Sequence, residues 1–278
     1  MNVVRAKHAG ACYGVQRALD MAYAAILDGE DTHTLGPLIH NPKVVSELEA
    51  RGVRVAQRVE DVDAGAVVVR SHGVTPEVRR ALDARGLAVI DATCPHVALA
   101  QKAAADLALR CGQVVVVGEA GHPEVEGLVA CAREAGGQVL VATAPEHVPD
   151  GLVAPVGVVV QTTQTREVLD AVVWALEARG IEPEVKNTIC FATRQRQEAA
   201  AELAAQVDAI VVVGGRNSSN TTRLADICAA SCARTHHVEA PDELDPAWFE
   251  GCATVGVTAG ASTPEEHIQA VVETLERL

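Results

Sequence analysis

The sequence predicts an α/β protein of three similar α/β domains with mainly parallel sheets. Short runs rich in Val and Ile alternate with Ala-rich amphipathic stretches along the whole chain. Continuous apolar strands separated by helices are typical of parallel sheets that are covered on both faces. A length of 278 residues is also long for a single hydrophobic core, so we expect two or three domains.

The predicted strands fall into two groups according to the residues at their carboxyl ends. Clear strands are, in chain order, "AVVVRSHGV", "LAVIDATC", "QVVVVGEAGH", "VGVVVQTTQ", "AIVVVGGRN" and "ATVGVTAGAS". Three strands end in polar tips before a helix, at Ser71-His72-Gly73, at Gly121-His122-Pro123-Glu124 and at Asn217-Ser218-Ser219-Asn220. Three lead into a cysteine that precedes a helical pattern, at Cys12, Cys94 and Cys190. This repeat suggests one module used three times, with domains at 1–94, 95–190 and 191–278.

The charge of the chain argues against a polyanionic partner. There are 37 acidic and 23 basic residues, a net charge of −14, and Lys and Arg do not cluster, so we expect no nucleic-acid partner. No apolar run approaches the roughly 20 residues of a membrane span, and the first residues lack the apolar segment of a signal peptide. We therefore expect no membrane partner and a cytoplasmic location.

Three of the eight cysteines share one setting. Cys12, Cys94 and Cys190 each lie where a strand gives way to a helix, and in a reducing compartment they are better interpreted as metal ligands than as disulfide partners. Three thiolates leave one coordination position open, which is typical of a catalytic metal. Sulfur ligands suit zinc or an iron–sulfur cluster, and both stay open at this point. We expect the others to be small buried apolar residues, namely Cys111, Cys131, Cys228, Cys232 and Cys252.

Histidines at the strand ends indicate an anion site. His40, His72 and His122 each follow an apolar run, and their imidazoles can donate hydrogen bonds to an anion, although each alone is also compatible with a structural role. Glu124 follows His122 at a predicted helix start, where a carboxylate also complements the helix dipole. We interpret Glu124 as a proton donor, with Glu126 as its alternative.

The polar run at 216–222 indicates the kind of anion. Ser218, Ser219 and Asn220 lie at a predicted helix start, where free backbone N–H groups and the dipole bind anions. Ser262 and Thr162 end two further strands in the same way. Capping of the helix accounts for any one of these residues, but one cap needs only one side chain. We infer a phosphate or diphosphate that is held by uncharged donors and imidazoles.

Across nearly its whole length the chain resembles the 4-hydroxy-3-methylbut-2-enyl diphosphate reductase family, which ends the methylerythritol phosphate route to isoprenoids. The resemblance lies in nine ordered motifs, "GACYGVQRA", "LIHN", "SHGV", "DATCP", "GHPEVEG", "QTTQT", "ICFATRQRQEA", "RNSSNTTRL" and "VTAGAST". It implies a pseudo-threefold cloverleaf of α/β domains around a central 4Fe-4S cluster with one open iron, held by Cys12, Cys94 and Cys190.

The resemblance also implies the roles of the polar residues. Diphosphate contacts fall on His40, His72, His122, Ser218, Ser219, Asn220 and Ser262, with Thr162 near the substrate hydroxyl and Glu124 delivering protons. The implied oxidoreductase takes two electrons from ferredoxin or flavodoxin, breaks the allylic C–O bond with loss of water, and releases isopentenyl or dimethylallyl diphosphate.

Alternatives stay open beside this hypothesis. The chain departs from the family pattern at Ala11, His96, Arg194 and Gln195, which leaves room for a paralogue that acts on a related allylic diphosphate. A zinc hydrolase of a phosphorylated substrate uses the same three cysteines, with Glu124 activating a metal-bound water. A redox sensor with a labile cluster needs the cysteines but none of the substrate donors.

Overall fold

The computed structural model describes residues 1–27 and 31–278. The strands of these residues are β1 (Asn2–Arg5), β2 (Thr32–Leu35), β3 (Arg54–Ala56), β4 (Ala66–Val69), β5 (Ala88–Asp91), β6 (Gln113–Val117), β7 (Gln138–Ala142), β8 (Val156–Val160), β9 (Glu184–Lys186), β10 (Ala209–Val213), β11 (Thr235–Val238) and β12 (Thr254–Ala259). The helices are α1 (Tyr13–Leu27), α2 (Pro42–Ala50), α3 (Pro76–Ala84), α4 (Pro95–Cys111), α5 (Pro123–Glu134), α6 (Arg166–Glu177), α7 (Phe191–Ala204), α8 (Ser219–Ala229) and α9 (Glu265–Glu276).

The strands form three four-stranded sheets, and every pairing between described strands is parallel. The sheet orders are β3-β2-β4-β5, β7-β6-β8-β9 and β1-β12-β10-β11. The α/β class with three parallel sheets is therefore confirmed.

Strand β1 completes the third sheet. In the first two sheets the strand that comes first in the chain lies between the second and the third, and the fourth lies at the edge beside the third. In the third sheet β10, β11 and β12 repeat this order, and β1 occupies the edge beside β12, with Asn2 opposite Thr254. The edge strands β5, β9 and β1 are the ones that lead into Cys94, Cys190 and Cys12.

The pairing of β1 with β12 joins residues from two of the expected modules. The first of them, 1–94, includes β1, yet β1 belongs to the sheet formed by strands of 191–278. The physical reason is that β12 leads into α9, so the edge beside β12 is left for a strand from elsewhere in the chain. The boundaries near Cys94 and Cys190 stay predictions.

The chain groups into two compact units. The first unit consists of Met1–Gln16, Ile39–Leu48 and Phe191–Leu278. The second consists of Arg17–Leu38 and Glu49–Cys190. The first unit holds the sheet of β10, and the second holds the other two sheets.

Helices cover both faces of the sheets, as the continuous apolar strands predict. In the second unit, Val115 of β6 packs with Leu169 of α6, while its neighbour Val114 packs on the opposite face with Leu107 of α4 and Leu128 of α5. Successive side chains of a strand point to opposite faces. Because both faces are buried, β4, β8 and β10 are buried along their whole length.

The first unit is built in the same way. Val211 of β10 shares a cluster with Ile268 of α9. On the other face, Ile210 packs with Leu203 of α7 and Leu224 of α8. This core rests on Val, Ile, Leu and Ala, since aromatic residues make up 2% of the chain.

Two glycines let helices approach the sheets closely. A Cβ at Gly157 of β8 would lie 2.8 Å from Cβ of Leu107 in α4, and one at Gly256 of β12 would lie 3.1 Å from Leu203 in α7. Gly157 lies opposite Val114, the second residue of β6, and Gly256 lies opposite Ile210, the second residue of β10. The same close contact therefore recurs in two sheets.

No helix in the described part of the chain has both the length and the apolar character that a membrane span requires.

We predict that Gly157→Val destabilises the fold. The added methyl groups overpack the contact with Leu107, which typically costs about 1–3 kcal/mol of unfolding free energy. Urea denaturation checks this result, with Val153→Thr as the control because Val153 is 66% exposed. Equal unfolding midpoints for the two variants would contradict this account of the helix contact.

Candidate functional site

The three cysteines singled out by the sequence are held in the same way. Each is the last residue before a helix, and each donates its backbone N–H to a carbonyl two residues beyond the end of the neighbouring strand. The bonds run from Cys94 to Ser71 (2.9 Å), from Cys190 to Thr162 (3.0 Å) and from Cys12 to Ala261 (3.1 Å). Parallel hydrogen bonding thus continues past the strands and fixes the backbone at each cysteine.

The thiols of these residues fit metal ligands. Cys12 lies in the first unit, Cys94 and Cys190 lie in the second, and all three are half-buried thiols rather than disulfide partners. The amino-terminal end of a helix carries a partial positive charge, which favours anionic ligands. The chemistry and position of each side chain are therefore those of a metal ligand, while their shared role stays a prediction.

The other cysteines differ. Cys111, Cys228 and Cys232 are buried, as expected, whereas Cys131 and Cys252 are only partly buried. Burial raises the pKa of Cys228 to about 12 and that of Cys131 to about 11. Both thiols stay protonated near neutral pH, which disfavours metal binding because the thiolate is the ligand.

Glu124 is a buried carboxylate tied to the tip of β8. It is 1% exposed. Its Oε1 accepts the backbone N–H of Thr162 at 2.6 Å, and its Oε2 accepts the Thr162 hydroxyl at 2.8 Å. The hydroxyl of Thr162, itself 5% exposed, retains acceptor capacity for a further donor. The pair offers a carboxyl and a hydroxyl linked for proton transfer.

Thr162 joins this carboxylate to a cysteine. Its N–H and hydroxyl bind Glu124, and its carbonyl accepts the N–H of Cys190. Just before that cysteine, Thr188 caps the end of β8, because its hydroxyl donates to the carbonyl of Val160 and accepts the N–H of the same residue. The segment that carries Cys190 is thereby held at both ends.

The alternative proton donor has a different setting. Glu126 is exposed. Burial lowers the pKa of the half-buried Arg70 guanidinium, and the charge of Glu126 offsets part of that shift. Only Glu124 combines burial with bonds to Thr162. The geometry favours Glu124 over Glu126.

Two predicted histidines meet in the second unit. The rings of His72 and His122 lie edge to face with centroids 5.4 Å apart. His122 caps α5, and its Nδ1 accepts the backbone N–H of Glu124 at 3.1 Å. A neutral imidazole with an accepting Nδ1 carries its proton on Nε2. His122 can therefore donate from Nε2 to an anion.

In the first unit, Ser262 joins two other strand tips. Its hydroxyl lies 3.1 Å from the carbonyl of His40 and 3.4 Å from the hydroxyl of Ser218. Ser218 caps α8 by accepting the N–H of Thr221. Ser262 and Ser218 are both buried. Ser262 thus contacts two other predicted anion donors, His40 and Ser218, beyond the carboxyl end of β12.

Asn220 is the polar side chain that most clearly needs a ligand. It lies in the first turn of α8 and is 4% exposed. Neither its amide nitrogen nor its amide oxygen has a hydrogen-bond partner among the described residues. A buried amide without partners costs free energy, and an anion at this helix start supplies an acceptor for its Nδ2. Ser219, 8% exposed, is its neighbour.

The strands β2, β6 and β10, one in each sheet, end alike. Each is followed directly by a glycine, and the fifth residue after the end of the strand is a predicted anion donor, His40 after β2, His122 after β6 and Ser218 after β10. A helix starts within two residues of each donor. These residues occupy the equivalent position of their modules.

Sequence reasoning missed Asn41. It is buried, its Nδ2 donates to the carbonyl of Ser262 at 2.9 Å, and its Oδ1 accepts the N–H of Val44 at 3.3 Å. Asn41 therefore caps α2 and fixes the segment of His40 against the tip of β12. The motif "LIHN" contains it, and an Asn before Pro at a helix start was an available signal.

Sequence reasoning also missed Arg196. It is 8% exposed, and its Nε and Nη2 donate to the carbonyl of Gly10 at 2.9 and 2.7 Å. Gly10 has a φ of +84°, and a Cβ there would lie 2.6 Å from Ile268. The guanidinium thus holds the turn before Cys12. No local pattern predicts this contact, because the two segments are distant in sequence.

Two of the four departures from the family pattern lie at the surface. His96 and Arg194 are exposed, and Ala11 and Gln195 are half-buried. Gln195 Nε2 lies 3.5 Å from His8 Nε2.

Comparison of the sequence identifies its relatives. The family model described as LytB protein matches residues 3–276. The 4-hydroxy-3-methylbut-2-enyl diphosphate reductase of Pelobacter propionicus is 50% identical over 274 residues, which cover 98% of this chain and 96% of that protein. The enzyme of the same name from Citrifermentans bemidjiense is 48% identical over 280 residues, covering 100% and 98% of the two chains.

Solved structures give the same result. A structure of (E)-4-hydroxy-3-methyl-but-2-enyl diphosphate reductase, described as the terminal enzyme of the non-mevalonate pathway, is 40% identical, covers 100% of both chains and superposes with a TM-score of 0.73. The reductase of Plasmodium falciparum is 26% identical, covers 99% of this chain and 87% of its own, and superposes with a TM-score of 0.90.

We predict that Glu124 and Thr162 stabilise the fold jointly. Thr162→Val removes a hydrogen bond to a buried carboxylate, which is worth about 1.5–3 kcal/mol of unfolding free energy. In a Glu124→Gln background the same change should cost less, because bonds between neutral groups contribute only about 0.5–1.5 kcal/mol. Denaturation of the four proteins of this double-mutant cycle measures the coupling. Strictly additive effects would contradict the contact.

Proposed function

The chain belongs to the LytB protein family, and we propose that it is a 4-hydroxy-3-methylbut-2-enyl diphosphate reductase, an oxidoreductase of non-mevalonate isoprenoid biosynthesis. The observation that carries the proposal is the recurrence of one arrangement in three sheets. In each, a cysteine thiol ends the segment after the edge strand, and its backbone bonds to the tip of the next strand.

Cys12, Cys94 and Cys190 are proposed as the ligands of the iron–sulfur cluster. Thiolates are the usual ligands of such clusters, and these three side chains are half-buried thiols. We assign a 4Fe-4S cluster with three cysteine ligands and one open iron. When bound, the cluster supplies electrons and a Lewis-acidic iron to the reaction.

The diphosphate of the substrate is proposed to bind uncharged donors and imidazoles. The proposed contacts are His40, His72, His122, Ser218, Ser219, Asn220 and Ser262. The buried amide of Asn220, without a protein partner in the described residues, supports this assignment. So does the start of α8, because the amino-terminal end of a helix favours a bound anion. Tight binding of this remote group orients the reacting end of the substrate.

Glu124 and Thr162 are proposed to handle protons and to orient the substrate hydroxyl. The Thr162 hydroxyl is bonded to Glu124 Oε2 and can accept from one group while donating to another. A proton that reaches the Glu124 carboxyl reverses this bond, so that Oε2 donates to Thr162 Oγ1 and the Thr162 hydroxyl donates its own proton toward the substrate. The burial of Glu124 keeps bulk water away from this carboxyl.

The proposed reaction balances with two electrons and two protons. The allylic C–O bond breaks, the hydroxyl leaves as water with one proton, and the carbon skeleton takes the other proton to give isopentenyl or dimethylallyl diphosphate. A protein of the ferredoxin or flavodoxin type is the proposed electron donor. All eight cysteines are thiols, which supports a reducing, cytoplasmic location.

The family membership favours this reductase over the two alternatives from the sequence. A zinc hydrolase of a phosphorylated substrate has no support among the reductases to which the chain is similar. A paralogue with a changed substrate has little support from His96 and Arg194, because both side chains are exposed.

We predict that Cys94→Ser loses the cluster. A hydroxyl is a poor ligand for iron–sulfur iron, so iron and sulfide per chain should fall to a small fraction of the parent value after anaerobic purification. Cys131→Ser is the control, since burial raises the pKa of the Cys131 thiol to about 11. Unchanged iron content in Cys94→Ser would remove Cys94 from the ligand set.

We predict that Glu124→Gln loses turnover but keeps substrate binding. Amide for carboxyl retains the shape but removes the proton, and loss of an acid catalyst lowers kcat by roughly 100-fold or more. Anaerobic turnover with a reduced viologen dye measures kcat, and calorimetry measures binding of the diphosphate substrate. Glu126→Gln, two residues away and exposed, should behave like the parent. Equal turnover in both variants excludes Glu124 as the acid.

A further inference from the structure

The segment that leads to Cys12 contains an insertion. The corresponding segment that leads to Cys94 contains no insertion. There, the N–H groups of Ala92 and Cys94 donate to the carbonyls of Val69 and Ser71. These donors and acceptors are each two residues apart, which is the regular alternation of a parallel ladder. A cysteine can therefore reach its position without extra residues.

In the first unit the alternation is interrupted. Ala6 donates to the carbonyl of Val257 at 2.8 Å, and the next carbonyl on that strand, Ala259, accepts from Gly10 at 3.2 Å. Between these two hydrogen bonds the chain advances four residues from Ala6 to Gly10 but only two residues from Val257 to Ala259. Two extra residues therefore loop out within 7–9. Because Cys94 reaches its position without such a loop, placing the ligand does not account for these extra residues.

The loop lies against the start of α7. Gln195 Nε2 is 3.5 Å from His8 Nε2, and Arg196 holds the carbonyl of Gly10. Around this contact, Lys7 is exposed, and the exposed Arg194 places its guanidinium 5.2 Å from the centre of the Phe191 ring. We call Lys7, His8, Phe191 and Arg194 the loop–helix patch.

The loop–helix patch combines cationic and apolar surface. Phe191 is 58% exposed and supplies the apolar part of this surface. Lys7 and Arg194 are cations in a chain of net charge −14, and the nearby acid Glu198 pairs with Arg194 at 3.7 Å. An apolar centre with charged groups beside it is typical of a protein interface.

We infer that the loop–helix patch is the docking site for an acidic single-electron carrier protein. The inference rests on the proposed function, because each reduction consumes two electrons that the substrate cannot supply. Two reduced carriers are oxidised for each C–O bond that breaks. Phe191 directly follows Cys190, and the loop that carries Lys7 ends at the turn before Cys12, so a docked carrier lies beside residues that flank two proposed ligands.

Charge at the patch supports this occupant over a basic protein, because Lys7 and Arg194 attract acidic side chains and repel basic ones. An acidic carrier is repelled by the chain as a whole and attracted by Lys7 and Arg194, so orientation is selected during encounter. Electron-transfer complexes also bury little area and dissociate readily, which suits a patch of four side chains.

The test reverses the two charges in the holoenzyme. Lys7→Glu/Arg194→Glu should lower kcat/KM for a reduced acidic ferredoxin roughly tenfold at low salt, and the difference should shrink as salt screens the charges. With a small viologen reductant the variant should match the parent, because that donor needs no protein surface. Titration with oxidised ferredoxin should show the same loss as a higher Kd.

The matched control is Arg277→Glu. Arg277 is exposed and pairs with Glu273 four residues earlier at 3.4 Å, much as Arg194 pairs with Glu198, but it lies outside the patch. Unchanged ferredoxin Kd and kcat/KM in the double variant, or an equal loss in Arg277→Glu, overturns the docking site. Absence of viologen-driven turnover in the parent instead contradicts the proposed function, and the Kd still tests docking.

Discussion

The placement of the three predicted ligand cysteines depends on one backbone hydrogen bond that is repeated in each of the three sheets. The N–H of a cysteine donates to the carbonyl two residues past the end of the neighbouring parallel strand. This bond sets where the edge segment stops behaving as a strand and where the following helix begins. Since parallel strands all end at the same side of a sheet, the bond also places each cysteine among the polar tips of its own sheet.

Within the second unit, Thr162 extends this interaction into chemistry. One residue uses its carbonyl for the cysteine and its N–H and hydroxyl for a buried carboxylate. A shift at either partner therefore reaches the other through the backbone of a single residue, Thr162. The first unit has a comparable junction at Ser262, which meets the segment of His40 through Asn41 and the start of α8 through Ser218.

Local patterns in the sequence predicted the parallel sheets and the polar strand tips, because burial on both faces and helix capping leave local signals. They favoured Glu124 but left Glu126 as an alternative, since tertiary burial is what distinguishes two carboxylates on one helix turn. They also did not predict Arg196 on Gly10 or β1 beside β12. Those contacts join distant segments, and nothing in a short window records the partner.

The pairing of β1 with β12 has a consequence for the order of events during synthesis. Asn2 and its neighbours leave the ribosome first, yet their partner begins at Thr254. Until that strand emerges, the segment of Cys12 has no ladder to join, whereas those of Cys94 and Cys190 already have theirs. Long-range pairing of this kind forms late. The backbone of Cys12 is thus fixed after those of Cys94 and Cys190, and the last sheet is completed only once β12 has joined β1.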